Sequence, residues 1–102
     1  MNSANGDSLP SLLIGLRDPE KEKRAWSVQE IVRAGDVAVP DLTVLLKDED
    51  WKVRYRAAEA LGMIRADKAI PDLINTCSDR KDHVRYMAAK ALGLMKACDA
   101  VS

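Results

Sequence analysis

Three columns of residues recur along this chain at nearly constant spacing, and that recurrence restricts the fold more than any other feature. Pro10, Pro40 and Pro71 are separated by 30 and 31 residues, and Asp18, Asp48 and Asp79 keep the same intervals. Arg24, Arg54 and Arg85 follow, each six residues after its Asp, so the register rests on three independent columns. Self-similarity at such a period marks a stacked architecture in which each unit is one supersecondary element that cannot bury its own apolar face. The second and third units agree most closely. AVPDL at 38–42 answers AIPDL at 69–73, and VRYRAAEALGMI at 53–64 answers VRYMAAKALGLM at 84–95. The first unit is degenerate, with Lys23-Arg24 in place of Val-Arg and Ser27-Val28 in place of the Ala pair. The repeats span 8–36, 37–67 and 68–98. They form a single domain over 8–102, behind a polar stretch at 1–7, MNSANGD, that reads as a disordered lead.

Each unit splits into two helical patterns. Apolar residues recur at Val39, Leu42 and Leu46, and at Ile70, Leu73, Ile74 and Cys77, the spacing of one helix face. Val53, Ala57, Leu61 and Ile64 form a second stripe, repeated as Val84, Ala88, Leu92 and Met95. Helices are expected near 8–17, 19–34, 37–47, 50–65, 68–78 and 81–97, with period-two alternation absent. Asp18-Pro19 reads as an N-cap and first helical position, Asp36 and Asp67 as caps of the shorter helices, and Gly35 as a helix stop. Ala57, Ala58, Ala60 and Gly62, repeated as Ala88, Ala89, Ala91 and Gly93, remove bulk so that neighbouring helices approach closely. The expected class is all-α: three stacked hairpins, six helices. The Pro column next falls at position 102, where Ser102 stands, so a fourth repeat begins as the sequence ends. Leu92, Leu94 and Met95 then lack a polar covering helix, which leaves three readings open: self-association through this C-terminal flank, an improvised cap, or membership of a longer array.

Composition narrows function by exclusion. The chain has 102 residues, with 16 basic and 16 acidic side chains and a hydrophobic fraction of 47%, which suits one small folded domain. Balanced charge and four aromatics argue against a protein that coats nucleic acid. Lys52, Arg54, Arg56, Arg80, Lys81 and Arg85 cluster near helix starts, but acidic residues interleave with them. Neither a run of 18 apolar residues nor a secretion signal is present, so a cytoplasmic location is the expectation and no membrane is implied. The two Cys, at 77 and 98, and the single His form neither a redox motif nor a zinc set. Cys77 shares the column of Leu16 and Leu46 and reads as a small buried hydrophobe; Cys98 falls near the exposed end. His83 reads as a surface residue. No catalytic residue, metal or cofactor is expected.

The Asp18, Asp48, Asp79 and Arg24, Arg54, Arg85 columns read as a structural ladder, each Asp at an inter-helix turn and each Arg within reach of it or of the next repeat's Asp. With Val53, Ala57, Leu61 and Ile64 as core, a rotation of 100° per residue leaves Tyr55, Arg56, Glu59 and Met63 off the stripe. Matching columns give Trp26, Gln29 and Arg33 in the first unit, and Tyr86, Met87, Lys90 and Leu94 in the third. These columns vary while their neighbours repeat, and they hold Tyr, Trp, Met and Arg, types enriched at interface cores. They are the expected partner-binding set. Trp51 has Lys21 and Asp82 as counterparts and reads either as an edge seal or as an exposed anchor.

The pattern D-x-x-x-V-R-x-x-A-A-x-A-L-G, at 49–62 with Glu49 in its first position and at 80–93 with Arg80 there, follows A-[VI]-P-D-L. It resembles the HEAT-like repeat of the phycobilisome-lyase type over about residues 8 to 98. That resemblance implies a right-handed α-solenoid whose second helices line a concave groove for a protein partner, on the columns just named. It implies a non-enzymatic scaffold. Alternatives are a subunit of a bilin lyase-like enzyme, which shares the repeat, and a weak nucleic-acid binder. The iron-dependent hydroxylase relatives need paired His-Glu steps, which are absent here.

Overall fold

A computed structural model describes residues 8–95. The polar lead at 1–7, the onset of a fourth repeat and Cys98 lie outside them. Helices alternate short and long: α1 (Leu9–Gly15), α2 (Lys21–Ala34), α3 (Val39–Leu45), α4 (Trp51–Ile64), α5 (Ile70–Thr76) and α6 (Asp82–Leu94). Each short helix packs on the long helix that follows it, and the long helices pack in order, α2 on α4 and α4 on α6. This all-helical stacking is that of an α-solenoid.

Local chemistry dictates the alternation. Pro10, Pro40 and Pro71 fall in the first two positions of α1, α3 and α5, where a missing N–H removes no intrahelical bond. Each short helix then ends in one tight turn. Arg17, Lys47 and Ser78 donate their N–H groups three residues back to Ile14, Val44 and Asn75. The next residue is the Asp of the column, which bends the chain into the long helix. Asp18 Oδ1 accepts from Glu20 N–H at 2.9 Å, Asp48 Oδ2 from Asp50 N–H at 2.9 Å and Asp79 Oδ1 from Lys81 N–H at 2.9 Å. These are Asx turns, so Asp18 is not the N-cap expected from Asp18-Pro19; α2 starts at Lys21, with Glu20 at the N-cap position and no side-chain capping bond. Asp36 and Asp67 also depart from expectation. They lie in the short 3₁₀ turns Gly35–Ala38 and Asp67–Ala69, with no side-chain capping bond.

The Arg column closes the same turns. Arg24 Nη1 donates to the carbonyls of Asp18 and Pro19 at 2.7 and 3.0 Å, Arg54 Nη1 to those of Asp48 and Glu49 at 2.8 and 3.1 Å, and Arg85 Nη1 to that of Asp79 at 2.8 Å. Arg54 continues into the next unit. Its Nε and Nη2 grip Asp79 Oδ2 and Oδ1 at 2.8 and 3.0 Å, a bidentate pair on a side chain only 3% exposed. At the first junction Asp48 is held instead by Arg17, whose Nη1 donates to Oδ2 at 3.0 Å while Nη2 meets Oδ1. The ladder is therefore carried by Arg17 there and by Arg54 at the second junction, while Arg24 ties its own turn.

Burial explains the degenerate first unit. Val53, Val84, Ala60 and Ala91 are fully sealed because each long helix leans on the one before it. Their counterparts on α2 are Lys23, exposed, and Glu30, partly exposed; among the described residues no long helix precedes α2. The opposite end shows the converse. Arg54, Ala58 and Gly62 are buried, while Arg85, Ala89 and Gly93 are exposed on α6. Of the flank expected to be uncovered, Leu94 is exposed, Met95 is partly buried against the core, and Leu92 is fully in it. Cys77 is partly, not wholly, buried there.

Helix α4 ends with Arg65 left-handed at φ 62°, and the Ala66 N–H reaches the Leu61 carbonyl at 3.2 Å, a Schellman closure. Gly35 does the equivalent work after α2 at φ 74° and ψ −140°, a region that side chains with a Cβ avoid.

Two outcomes follow from the packing. A Cβ at Gly62 would lie 2.6 Å from Ala91 Cβ, whereas nothing stands within 4 Å of one at Gly93. Urea unfolding should show Gly62→Ala losing about 2 kcal/mol through overpacking, and Gly93→Ala gaining about 0.5 kcal/mol through helix propensity. The ion pairs differ likewise. Asp79→Asn should cost about 3 kcal/mol because it strands a buried guanidinium, and Asp48→Asn about 1 kcal/mol because Arg17 is half exposed. Asp48 is held below the usual carboxylate range by its bond from Arg17; burial pushes Asp79 up, but the bonds from Arg54 and Lys81 outweigh it and hold that carboxyl low as well. Their stabilisation is complete above the unfolded value of about 3.9 and is lost as pH falls through the lower folded values. An acid titration followed by circular dichroism should therefore show the wild type losing stability below about pH 4, and Asp79→Asn losing less over that range.

Candidate functional site

Because the same Asx turn opens every long helix, the first turns of α2, α4 and α6 converge at one place. A cleft of about 250 Å³ lies between them, lined by Lys21 and Arg24 from α2, Trp51, Lys52, Tyr55 and Arg56 from α4, and His83 from α6. The lining contains cations and aromatic rings and no carboxylate. In a chain of zero net charge that is a local segregation. A second opening, of about 320 Å³ beside the Arg65 turn, mixes Arg65 and Lys68 with Asp36 and Asp67.

Trp51 organises the cleft. Tyr55 meets its ring edge-on with centroids 6.4 Å apart, and the His83 ring lies tilted against it at 5.0 Å. Lys81 Nζ sits 4.6 Å from the Trp51 ring centre, and the Arg56 guanidinium 5.3 Å from that of Tyr55. Of the two readings of Trp51, the edge seal fits its contacts, since its ring bridges α4 and α6; its remaining surface lines the cleft. His83 is exposed, as expected, and its Nδ1 lies 2.9 Å from Asp82 Oδ1. This contact and the His83 N–H hold the Asp82 carboxyl below its usual range.

The cations fall into two kinds. Arg24 is tied to carbonyls and Arg56 Nη1 pairs with Glu59 Oε1 at 2.8 Å. Lys21 and Lys52 have no ion pair among the described residues. They occupy the first and second positions of α2 and α4, where the helix dipole is positive, and α4 has no acidic residue in its first turn. Each such cation costs about 0.3–1 kcal/mol relative to a favourable charge there.

The partner-binding columns expected from sequence are distributed unevenly. Trp26, Gln29, Arg33, Met63, Tyr86, Lys90 and Leu94 are exposed; Tyr86 is the most open of the aromatics at 61%. Tyr55, Arg56 and Glu59 are half-buried, and Tyr55 and Arg56 enter the cleft. Lys90 Nζ lies 6.0 Å from the Tyr86 ring centre, and Arg33 pairs loosely with Glu30. Met87 is a correction. At 3% exposure it belongs to the core, because it falls three residues after Val84 and four before Ala91, inside their sealed stripe. Sequence reasoning placed Lys52 only in a cationic cluster weighed for nucleic acid, and missed Lys21. The available signal was their unfavourable placement at helix starts.

Among the described residues, no cluster of three or more His, Cys, Asp or Glu is arranged to hold a metal ion, and no helix is long and apolar enough to cross a membrane. No curated protein matches the chain by sequence. A family model for HEAT repeats matches residues 9–93, which takes in all three Asp-Arg turns and each pair of short and long helices. The chain therefore belongs to the HEAT-repeat family, whose members generally serve as protein-interaction scaffolds.

Proposed function

We propose that the chain is a non-enzymatic protein-binding module, a right-handed solenoid of three hairpins that grips a partner along the exposed faces of α2, α4 and α6 in the cytoplasm. The observation that carries this reading is the contrast within each long helix. One side repeats and is sealed, through Val53, Ala57 and Leu61 or Val84, Ala88 and Leu92. The other varies at Glu59 and Lys90 and at Met63 and Leu94, keeps Tyr55 and Tyr86, and leaves Trp26, Met63, Tyr86 and Leu94 open to solvent. Stacking geometry constrains the first set and leaves the second free to suit a partner, and large apolar or aromatic side chains are effective interface anchors. The phycobilisome-lyase subtype rests on the V-R-x-x-A-A-x-A-L-G repeats at 53–62 and 84–93. A lyase-like subunit role shares that repeat.

Tyr86→Asp/Leu94→Asp should leave helicity and unfolding midpoint close to wild type, since both side chains are exposed, and should weaken partner capture at least tenfold, about 1.4 kcal/mol. Pull-down from native lysate followed by mass spectrometry reads this out. Undiminished capture by the double variant would remove this face as the binding surface.

A further inference from the structure

The protein-binding reading does not say what kind of segment is bound, and the cleft at the starts of the long helices supplies a specific chemistry. We propose that this cleft seats an acidic segment of a protein partner, its carboxylates held by Lys21, Lys52 and Arg24 and its apolar flank laid against Trp51. The inference rests on the protein-binding reading and specifies the partner's charge and the seat that reads it.

Four observations converge. The cleft wall is cationic and aromatic without a carboxylate, although the chain as a whole is neutral. Charge complementarity therefore selects an anion, and it acts at short range because the bulk of the molecule adds no net field. Lys21 and Lys52 make no ion pair among the described residues and oppose the dipoles of their helices, so no ion pair offsets the placement of their charge. Residues that break a local rule without a compensating contact mark a working surface. Arg24 adds a guanidinium that the turn carbonyls already hold in place, which lowers the ordering cost on binding. Trp51 is fixed by Tyr55 and His83, giving a rigid apolar wall beside the cations.

The same surroundings favour a short acidic peptide over nucleic acid. Glu22, Glu59 and Asp82 lie beside the cleft-lining residues in sequence or in contact, Glu59 and Asp82 through Arg56 and His83. A polymer with a phosphate at every step would bring charges against this acidic rim. A peptide places its carboxylates where the cations are and turns away elsewhere.

The test is fluorescence anisotropy with the purified full chain and three labelled probes: a peptide rich in Asp and Glu, its Asn and Gln counterpart, and a single-stranded oligonucleotide of the same length. Binding of the acidic peptide at least about tenfold tighter than the amide peptide, weakening as salt rises, is the expected result. Lys21→Glu/Lys52→Glu should weaken it at least tenfold while raising the urea midpoint, because acidic side chains complement the helix starts. That opposition of signs excludes unfolding as the cause, and the milder Lys21→Gln/Lys52→Gln should give an intermediate loss. Equal binding of both peptides, indifference to the charge reversal, or no binding of the acidic peptide would overturn the inference. Tighter binding of the oligonucleotide would also overturn it and reassign the cleft to nucleic acid. A partner captured from lysate that depends on Tyr86 and Leu94 but survives Lys21→Glu/Lys52→Glu would overturn this inference alone and leave the protein-binding reading standing.

Discussion

The buried guanidinium of Arg54 is the point on which the stacking depends. One nitrogen fastens the turn between α3 and α4, through the Asp48 and Glu49 carbonyls, while the other two reach Asp79 in the next turn along. A single side chain thus sets the angle inside one hairpin and the register between two. Asp79 in turn shapes its own bend by accepting from Lys81 N–H, so the same carboxylate is both hinge and handle. A charge sealed to this degree is tolerated because the paired carboxylate and the carbonyls meet it from both sides.

Around that tie, small residues decide how near the helices come. Gly62 and Ala91 bring α4 and α6 close enough that one added methyl has no room, and Gly15 lies as tightly against Ser27. The interior is then completed by Leu12, Leu42 and Leu73 from the short helices and by Ile31, Leu61 and Leu92 from the long ones. The two ends of the described stack differ in kind. On α2 the columns that elsewhere hold Val and Ala hold Lys23 and Glu30, a polar face suited to solvent. On α6 the columns of Arg54, Ala58 and Gly62 keep their identities as Arg85, Ala89 and Gly93 but are exposed.

The cleft owes its existence to the same repetition. A like turn before α2, α4 and α6 brings their first residues together, where Lys21 and Lys52 stay exposed and Trp51 packs against His83. At Lys21 and Lys52 the chain places a cation where an acidic residue would suit the helix dipole better. Site and scaffold meet at Arg24, which holds its turn and lines the cleft; the other Asp and Arg column residues hold the turns.

Much of this was legible in the sequence. The Pro column placed the short helices because proline fits the first turn of a helix, and the alternation of Ala and Gly with Leu at 57–62 and 88–93 announced close-packed long helices. Gly35 marked a helix end through its backbone freedom. The misreadings share one origin. Asp18, Asp36 and Asp67 were compatible with capping by residue type, but whether a carboxylate caps a helix or shapes a turn depends on backbone angles that only the folded chain fixes. Met87 sat off a stripe drawn from α4, yet its column lies at the margin of the core, where Arg56 is half-buried and the apolar Met87 is sealed. The pairing of Asp48 with Arg17 in place of Arg24, and the meeting of Trp51 with His83 across α4 and α6, join residues about 30 apart in the chain. Sequence determined the periodicity, the helices and the small-residue seams, because these follow from local propensity and spacing. Which side chains meet across repeats was decided by tertiary structure, because that depends on how far each helix is displaced and rotated against the next, a quantity no single repeat contains.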